Sequence, residues 1–235
     1  MNIYDPGFVE RLFDEMAATY EAVNYLSSFG FSARWRRQLV RAARIRPGTT
    51  VCDLMCGMGE CWPAVASSLR HRGRVIGLDL SQGMLAGAAR RRGRHPGLDI
   101  ELHKQDVLAN ALPDGCADSV VCGFGLKTFT PDQWDLLAAE IHRLLKPRGT
   151  FALIEVSVPA GWMFKDVYLF YLKRMIPLVG RLLLGNPDNY RLLGRYTEQF
   201  GDCEGMLGAL TRQGLDAKPH RYFFGCATGI SGARR

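Results

Sequence analysis

The chain has 235 residues, 47% of them hydrophobic and 23% charged, and its net charge of +7 is carried mostly by arginine. This length buries the core of one α/β domain with elaborations better than two full domains, and the composition is that of a soluble globular chain, not a disordered or fibrous one. Asp5 and Glu10 stand where an export signal needs an apolar core, and the seven scattered cysteines read as reduced thiols in a cytoplasm rather than as a disulfide framework.

Phe8 to Ala18 places Val9, Leu12, Phe13 and Met16 at helical spacing, so an amphipathic helix is expected there, with Tyr20 at its end. A second helix is expected from about Ser32 to Ala43, with Trp35, Leu39 and Val40 inward, the arginines outward, and a stop before Pro47-Gly48. From Thr50 the pattern alternates: strand Val51 to Met55, helix Cys61 to Arg70, strand Arg74 to Leu78, helix Gln82 to Arg91 and strand Asp99 to His103. Strand Asp118 to Cys122, helix Gln133 to Leu145 and strand Thr150 to Val156 continue it. Such alternation means parallel strands joined by crossover helices.

Between Pro159 and Gln199 the alternation breaks. Trp162 to Leu184 is rich in aromatics, yet Lys165, Asp166, Lys173, Arg174 and Arg181 interrupt it and exclude a transmembrane helix, which needs about twenty largely apolar residues. An inserted helical lid is expected, whose apolar face lines a hydrophobic pocket, touches a membrane surface or makes a homodimer. A helix from Cys203 to Gln213 and a closing strand from Arg221 to Thr228, paired with Asp216 to His220, complete the chain. The expected fold class is α/β, a Rossmann-like, seven-stranded, mostly parallel sheet with helices on both faces. Its parts are an N-terminal helical cover (1–46), a cofactor-binding core (47–158), a helical lid insertion after the fifth strand (159–199) and a C-terminal helix with closing strands (200–235), all one domain.

Arginines cluster at Arg34 to Arg37, Arg90 to Arg94 and Arg234-Arg235. A basic surface attracts anions of any kind. No aromatics interleave with these clusters as a stacking platform, so no nucleic-acid partner is expected, and Arg90 to Arg92 suit the negative end of a helix dipole. An acidic membrane surface is the remaining partner class, which makes the expected location cytoplasmic with peripheral membrane contact. Cys52, Cys56 and Cys61 match no common zinc spacing, and no metal is expected.

Ligands of open α/β sheets bind beyond the carboxyl ends of the strands, and acids recur there. Asp53 ends the first strand, followed by Gly57 and Gly59, which let a backbone approach a ligand closely. Asp79 follows the second strand, where a carboxylate accepts both hydroxyls of a ribose, and Leu80 adjoins it. Asp106 follows the third, where it accepts from an adenine amino group while the Val107 amide donates to the ring. Gly123 ends the fourth. A dinucleotide fingerprint wants a third glycine where Trp62 stands, and no phosphate-gripping lysine follows the turn. An adenosine ligand without a pyrophosphate fits better, namely S-adenosylmethionine.

On Leu12-Phe-Asp-Glu-Met-Ala-Ala-Thr-Tyr20 with Asn24, Asp53-Leu-Met-Cys-Gly-Met-Gly59, Gly77-Leu-Asp-Leu-Ser-Gln-Gly-Met-Leu85, Gly123-Phe-Gly-Leu126 and Leu144-Leu-Lys-Pro-Arg-Gly149, the chain resembles the class I S-adenosylmethionine-dependent methyltransferases of the ubiquinone/menaquinone C-methyltransferase family. The resemblance covers nearly the whole chain. It implies that Asp53, Gly57 and Gly59 cradle the methionine part, Asp79 holds the ribose, and Asp106 with Val107 flanks the adenine. It also implies an acceptor site bounded by Tyr20 and by the lid segment near Tyr190 to Phe200; Tyr190 and Tyr196 from that segment, and Phe124 and Thr128 beyond the fourth strand, are the expected substrate-binding residues.

Four departures fall on the acceptor side. Lys127-Thr128 stands where the family commonly has arginine and asparagine, Glu21 where it has aspartate, Arg148 in place of a paired glycine before the fifth strand, and Val156-Ser-Val-Pro159 where it has Phe-Ser-Lys-Pro. The altered half suggests a different acceptor, a quinone-like or polyketide-like aromatic metabolite. Lys127, as a cation or as a desolvated base, and Tyr20, as an orienting hydroxyl, are the expected catalytic residues, with Glu155 and His142 as further candidates. The expected activity is C-methylation. O- or N-methylation of a secondary metabolite and a cofactor-binding protein that transfers nothing are the alternatives.

Overall fold

The computed structural model describes residues 2–161, 163, 165–182 and 186–235. Strands β1 (Thr50–Leu54), β2 (Gly73–Asp79), β3 (Leu98–Lys104), β4 (Ala117–Gly123), β5 (Leu145–Val156), β6 (Leu215–Tyr222) and β7 (Ala227–Arg234) form a sheet of order β3-β2-β1-β4-β5-β7-β6. β1 to β5 pair in parallel, and β7 runs antiparallel between β5 and β6. The strand order reverses between β1 and β4, which opens a crevice at their carboxyl ends.

Helices cover both faces, so β1 reads as a nearly continuous apolar run. Successive side chains still alternate: Cys52, Leu54, Leu78 and Val120 pack with Leu137, Ile141 and Met206, while Val51, Val75 and Val121 pack with Leu39, Trp62 and Leu85. The first layer comes from α6 (Pro131–Leu144) and α10 (Glu204–Arg212). The second comes from α3 (Phe31–Ala42), α4 (Trp62–Ser68) and α5 (Gln82–Arg92). Local chemistry starts these helices where they start. Thr130 and Gln133 form a reciprocal capping box around Pro131, and the Ser81 hydroxyl accepts from Met84 N at the head of α5.

The N-terminal cover has three helices rather than two, α1 (Pro6–Met16), α2 (Tyr20–Ser27) and α3, because the chain turns at Ala17 to Thr19. Asp14 ties this cover to the core: its Oδ1 accepts from Ser81 Oγ at 2.6 Å and from Gly83 N at 2.8 Å. The arginines of α3 do not all point outward, since Arg36 is 8% exposed and lies within the buried stripe of Ser32, Trp35, Leu39 and Val40.

After β5 come α7 (Lys165–Phe170), a wide π-type turn over Tyr171–Met175, α8 (Ile176–Leu182) and α9 (Pro187–Phe200). Residues 162, 164 and 183–185 of the expected lid lie outside the described residues. No helix among the described residues is long and apolar enough to cross a membrane. The expected closing strand over Arg221 to Thr228 is corrected: Phe223, Phe224 and Gly225 form a tight turn at φ 44°, 56° and 92°, and β7 begins after it at Ala227. The aromatics there suggested a strand, but both stand exposed.

Candidate active site

Two cavities meet over the carboxyl ends of β1, β2 and β4. The first is a cleft enclosing about 950 Å3, part of it open to solvent, and Asp53, Gly57, Asp79, Asp106 and Gly123 from the strand ends line it. Leu80, Val107 and Thr128 line it too, and Tyr4, Val9 and Phe13 from the N-terminal cover close it.

The acids in this cleft are held in different ways. Asp79 accepts from Gly57 N at 2.8 Å through Oδ2 and from Ser81 N at 2.9 Å through Oδ1. Burial nevertheless pushes its carboxyl up to about 6 against those bonds. Asp53 accepts from Trp62 Nε1 at 3.0 Å, and burial, reinforced by the charge of Glu60, pushes it up to about 8. Glu60 Oε2 accepts from Met58 N at 3.0 Å, whereas its buried Oε1 has a 3.8 Å ion pair to Arg36 Nη2 and no hydrogen bond among the described residues. Asp106 caps the short turn after β3 by accepting from Leu108 N at 2.9 Å.

The glycines divide their labour. Gly57, at φ 56°, lines the cleft, whereas Gly59, at φ 77°, does not. A Cβ on Gly59 would sit 2.5 Å from the Trp62 ring, so this glycine is required by close packing of that indole.

The second cavity encloses about 1320 Å3 between α2, the lid and the β6–β7 turn, again partly open to solvent. Its walls are apolar and aromatic, including Phe31, Trp35, Tyr168, Tyr171 and Tyr190. Tyr20 and Phe124 line both cavities and so mark their junction. Phe124 occupies φ 73°, a conformation that costs a non-glycine residue about 1–3 kcal/mol and that clusters at functional sites. Burial raises the Tyr20 hydroxyl well above its ordinary value, with Glu60 adding to the effect, so it stays protonated at neutral pH. Lys127 lines the second cavity, and its Nζ donates to Glu155 Oε1 at 2.8 Å in a buried ion pair.

Not every expected acceptor residue reaches this cavity. Tyr190 lines it, with its hydroxyl 2.8 Å from Thr19 Oγ1. Thr128 faces the first cleft, because its hydroxyl donates to Gly125 O at 2.8 Å. Tyr196 lines neither: its ring packs edge-on against Tyr4 and its hydroxyl donates to the Ile3 carbonyl. His142 also lines neither, lying on α6 where its carbonyl accepts from Arg234 Nη1 at 3.0 Å. The cleft is also lined by Arg36 and Glu60, which were not among the expected site residues. An arginine in the apolar stripe of α3 and an acid directly after the glycine turn were the available signals.

The model of the ubiE/COQ5 methyltransferase family matches residues 2–232. The chain belongs to this family. It is an S-adenosylmethionine-dependent methyltransferase. It is similar to the demethylmenaquinone methyltransferase of Thermus thermophilus, with 32% identity over 219 residues, which span 92% of this chain and 96% of the relative. The Geobacillus stearothermophilus demethylmenaquinone methyltransferase is 30% identical over 231 residues, 97% of each chain. In fold it resembles the magnesium protoporphyrin IX methyltransferase of Synechocystis with bound S-adenosylhomocysteine, at a TM-score of 0.64, 17% identity and coverage of 98% of this chain and 100% of the other. A methyltransferase of Thermotoga maritima superposes with a TM-score of 0.63 at 16% identity, covering 96% and 99% of the two chains.

The residues of the first cleft fit the cofactor. Asp53, Glu60 and Asp79 gather three carboxyl groups in a buried place with Arg36 as the nearby cation, Glu60 Oε1 lacks a donor, and a bound cation would favour the ionised form of Asp53 that burial disfavours. S-adenosylmethionine carries an ammonium and a sulfonium for the acids and a carboxylate for the arginine.

Proposed function

We propose that this methyltransferase places a methyl group on a ring carbon of a hydrophobic, quinone-like or polyketide-like aromatic acceptor bound in the second cavity. The observation that carries the reading is the meeting of the acid-lined cleft and the aromatic-walled cavity at Tyr20 and Phe124. The demethylmenaquinone methyltransferases among its relatives support an acceptor of that chemical class.

S-adenosylmethionine supplies an electrophilic methyl group when bound. Asp79 and Leu80 would hold its ribose, Asp106 and Val107 its adenine, and Asp53, Gly57, Glu60 and Gly123 its methionine end, with Arg36 facing the carboxylate. The chain's own contribution is to orient two reactants and exclude water, which for a well-aligned pair removes about 7–11 kcal/mol of barrier. The Tyr20 hydroxyl donates a hydrogen bond to a ring oxygen of the acceptor. Lys127, clamped by Glu155, favours the ionised form of that oxygen and so enriches the neighbouring ring carbon in electrons. The methylated carbon must then lose its proton: the Lys127 ammonium passes one proton to the Glu155 carboxylate, and the neutral amine so formed takes the proton from carbon, which leaves Glu155 protonated and Lys127 again a cation.

Incubation with a demethylated naphthoquinol and cofactor labelled with carbon-13 in its methyl group tests the reading. A new carbon–methyl resonance in the product is expected. An oxygen–methyl resonance would replace C-methylation by O-methylation, and failure to release S-adenosylhomocysteine with any aromatic acceptor would favour a cofactor-binding protein that transfers nothing.

A further inference from the structure

Among the described residues, the large apolar side chains that stand strongly exposed fall, apart from Leu136, on three segments. These are the end of α2 (Tyr25, Leu26, Phe29), the lid from 163 to 182, and the β6–β7 turn (Phe223, Phe224). The segments adjoin one another. Phe29 stacks on Tyr171 with centroids 6.0 Å apart, and Phe31 meets Phe223 at 4.5 Å. All four rings line the second cavity, although Phe29 is 80% and Phe223 48% exposed, so they form its mouth.

The lid itself is apolar on two sides. Leu172 and Ile176 line the cavity, while Met163, Val167, Phe170, Leu178 and Leu182 recur at near-helical spacing among the exposed side chains. A surface helix of a water-dissolved protein carries its apolar stripe inward and polar groups outward. An exposed apolar area of this extent marks an interaction surface.

Charge identifies the partner. Between residues 165 and 182 stand the cations Lys165, Lys173, Arg174 and Arg181 against the acid Asp166; Lys173 is paired with Glu198 of α9 at 2.6 Å, which still leaves an excess of positive charge, and Arg34 lies over the Phe31 ring at the mouth, 6.0 Å from its centroid. A second copy docking through the same face would set these cations against their own copies. A bilayer with anionic headgroups would instead take the apolar side chains into its interface and the cations at its surface.

We propose that the cavity rim and the outer face of α7 and α8 are a docking surface for an anionic lipid bilayer, with the mouth of the second cavity opening onto the acyl chains. An apolar acceptor dissolved in the membrane then reaches the cavity without crossing water. The inference rests on the proposed acceptor class only for what enters the cavity. The binding test uses lipid alone, so failure of one reading is distinguishable from failure of the other.

The test is flotation of the full-length protein with vesicles of phosphatidylcholine containing about one third phosphatidylglycerol, beside vesicles of phosphatidylcholine alone. Binding to the anionic vesicles is expected, with marked weakening at high salt. Each cation at such a surface contributes about a five-fold change in binding, so Arg174→Glu with Arg181→Glu is expected to weaken it at least about 25-fold. Phe170→Asp with Leu178→Asp is expected to abolish it, while calorimetric affinity for S-adenosylmethionine and the melting temperature stay unchanged. The proposal is overturned if the wild-type protein ignores anionic vesicles, or if both double variants bind them as the wild type does. It is also overturned if sedimentation shows a dimer that the Phe170→Asp, Leu178→Asp variant dissociates while vesicles are not bound.

Discussion

Glu155 is fully buried, and its carboxylate accepts from Lys127 Nζ at 2.8 Å, from Val156 N at 2.7 Å and from Lys127 N at 3.3 Å. Glu155→Gln keeps the shape and part of the hydrogen bonding but leaves the Lys127 ammonium, 9% exposed, without its counter-charge. Removing one partner of a buried pair costs about 3–5 kcal/mol, because the other charge remains desolvated. Lys127→Met strands the carboxylate and is expected to cost a similar amount. The double variant removes both charges, so its loss should be far smaller than the sum, and urea unfolding should give a coupling energy of about 2–3 kcal/mol or more. Costs that simply add would refute the buried-pair argument. The same double variant, being folded, separates stability from chemistry. Its turnover is expected to fall at least about 100-fold with cofactor affinity retained, the scale of a lost acid–base group. Wild-type turnover in that variant would remove the pair from the proposed mechanism.

Asp79→Ala should leave the fold intact and lower affinity for S-adenosylhomocysteine by at least about 30-fold, the scale of about 2 kcal/mol for hydrogen bonds to a charged group; undiminished calorimetric affinity would displace the ribose from this acid. Arg36→Met should likewise weaken binding of the cofactor more than that of its analogue lacking the carboxylate, and equal losses would show that the arginine does not meet that group. Burial holds the Asp53 carboxyl up to about 8, while unfolded aspartates titrate near about 4. The folded state therefore binds more protons across that interval, and this group makes stability fall as pH rises from about 4 to about 8. In the ligand-free protein, Asp53→Asn should flatten the decline of the urea midpoint over that range, and an unchanged slope would contradict the buried-acid assignment. Gly59→Ala, which combines φ 77° with a contact of 2.5 Å to the Trp62 ring, should cost at least about 2 kcal/mol, measured by thermal unfolding.

The order of strands and helices from Thr50 to Val156, the capped starts of α5 and α6, and the acids at the strand ends were written in local patterns: hydrophobic period, capping residues and glycine position. These signals act between residues a few positions apart, so the chain alone determines them. The acid-lined cleft follows, because a parallel sheet brings every strand end to one rim. What lies between distant segments was decided only by tertiary structure. Arg36 looked like a solvated cation until packing turned it into the cleft. Lys127 and Glu155, 28 positions apart, became a buried pair when β5 aligned beside β4. Thr128 and Tyr196 were drawn off by the Gly125 and Ile3 carbonyls, and Gly59 answers to an indole rather than to the ligand. The second cavity has its walls on α2, the start of α3, the turn after β4, the lid and the β6–β7 turn, and no local pattern encodes a space bounded by segments so far apart, whose aromatics are, taken one at a time, indistinguishable from core.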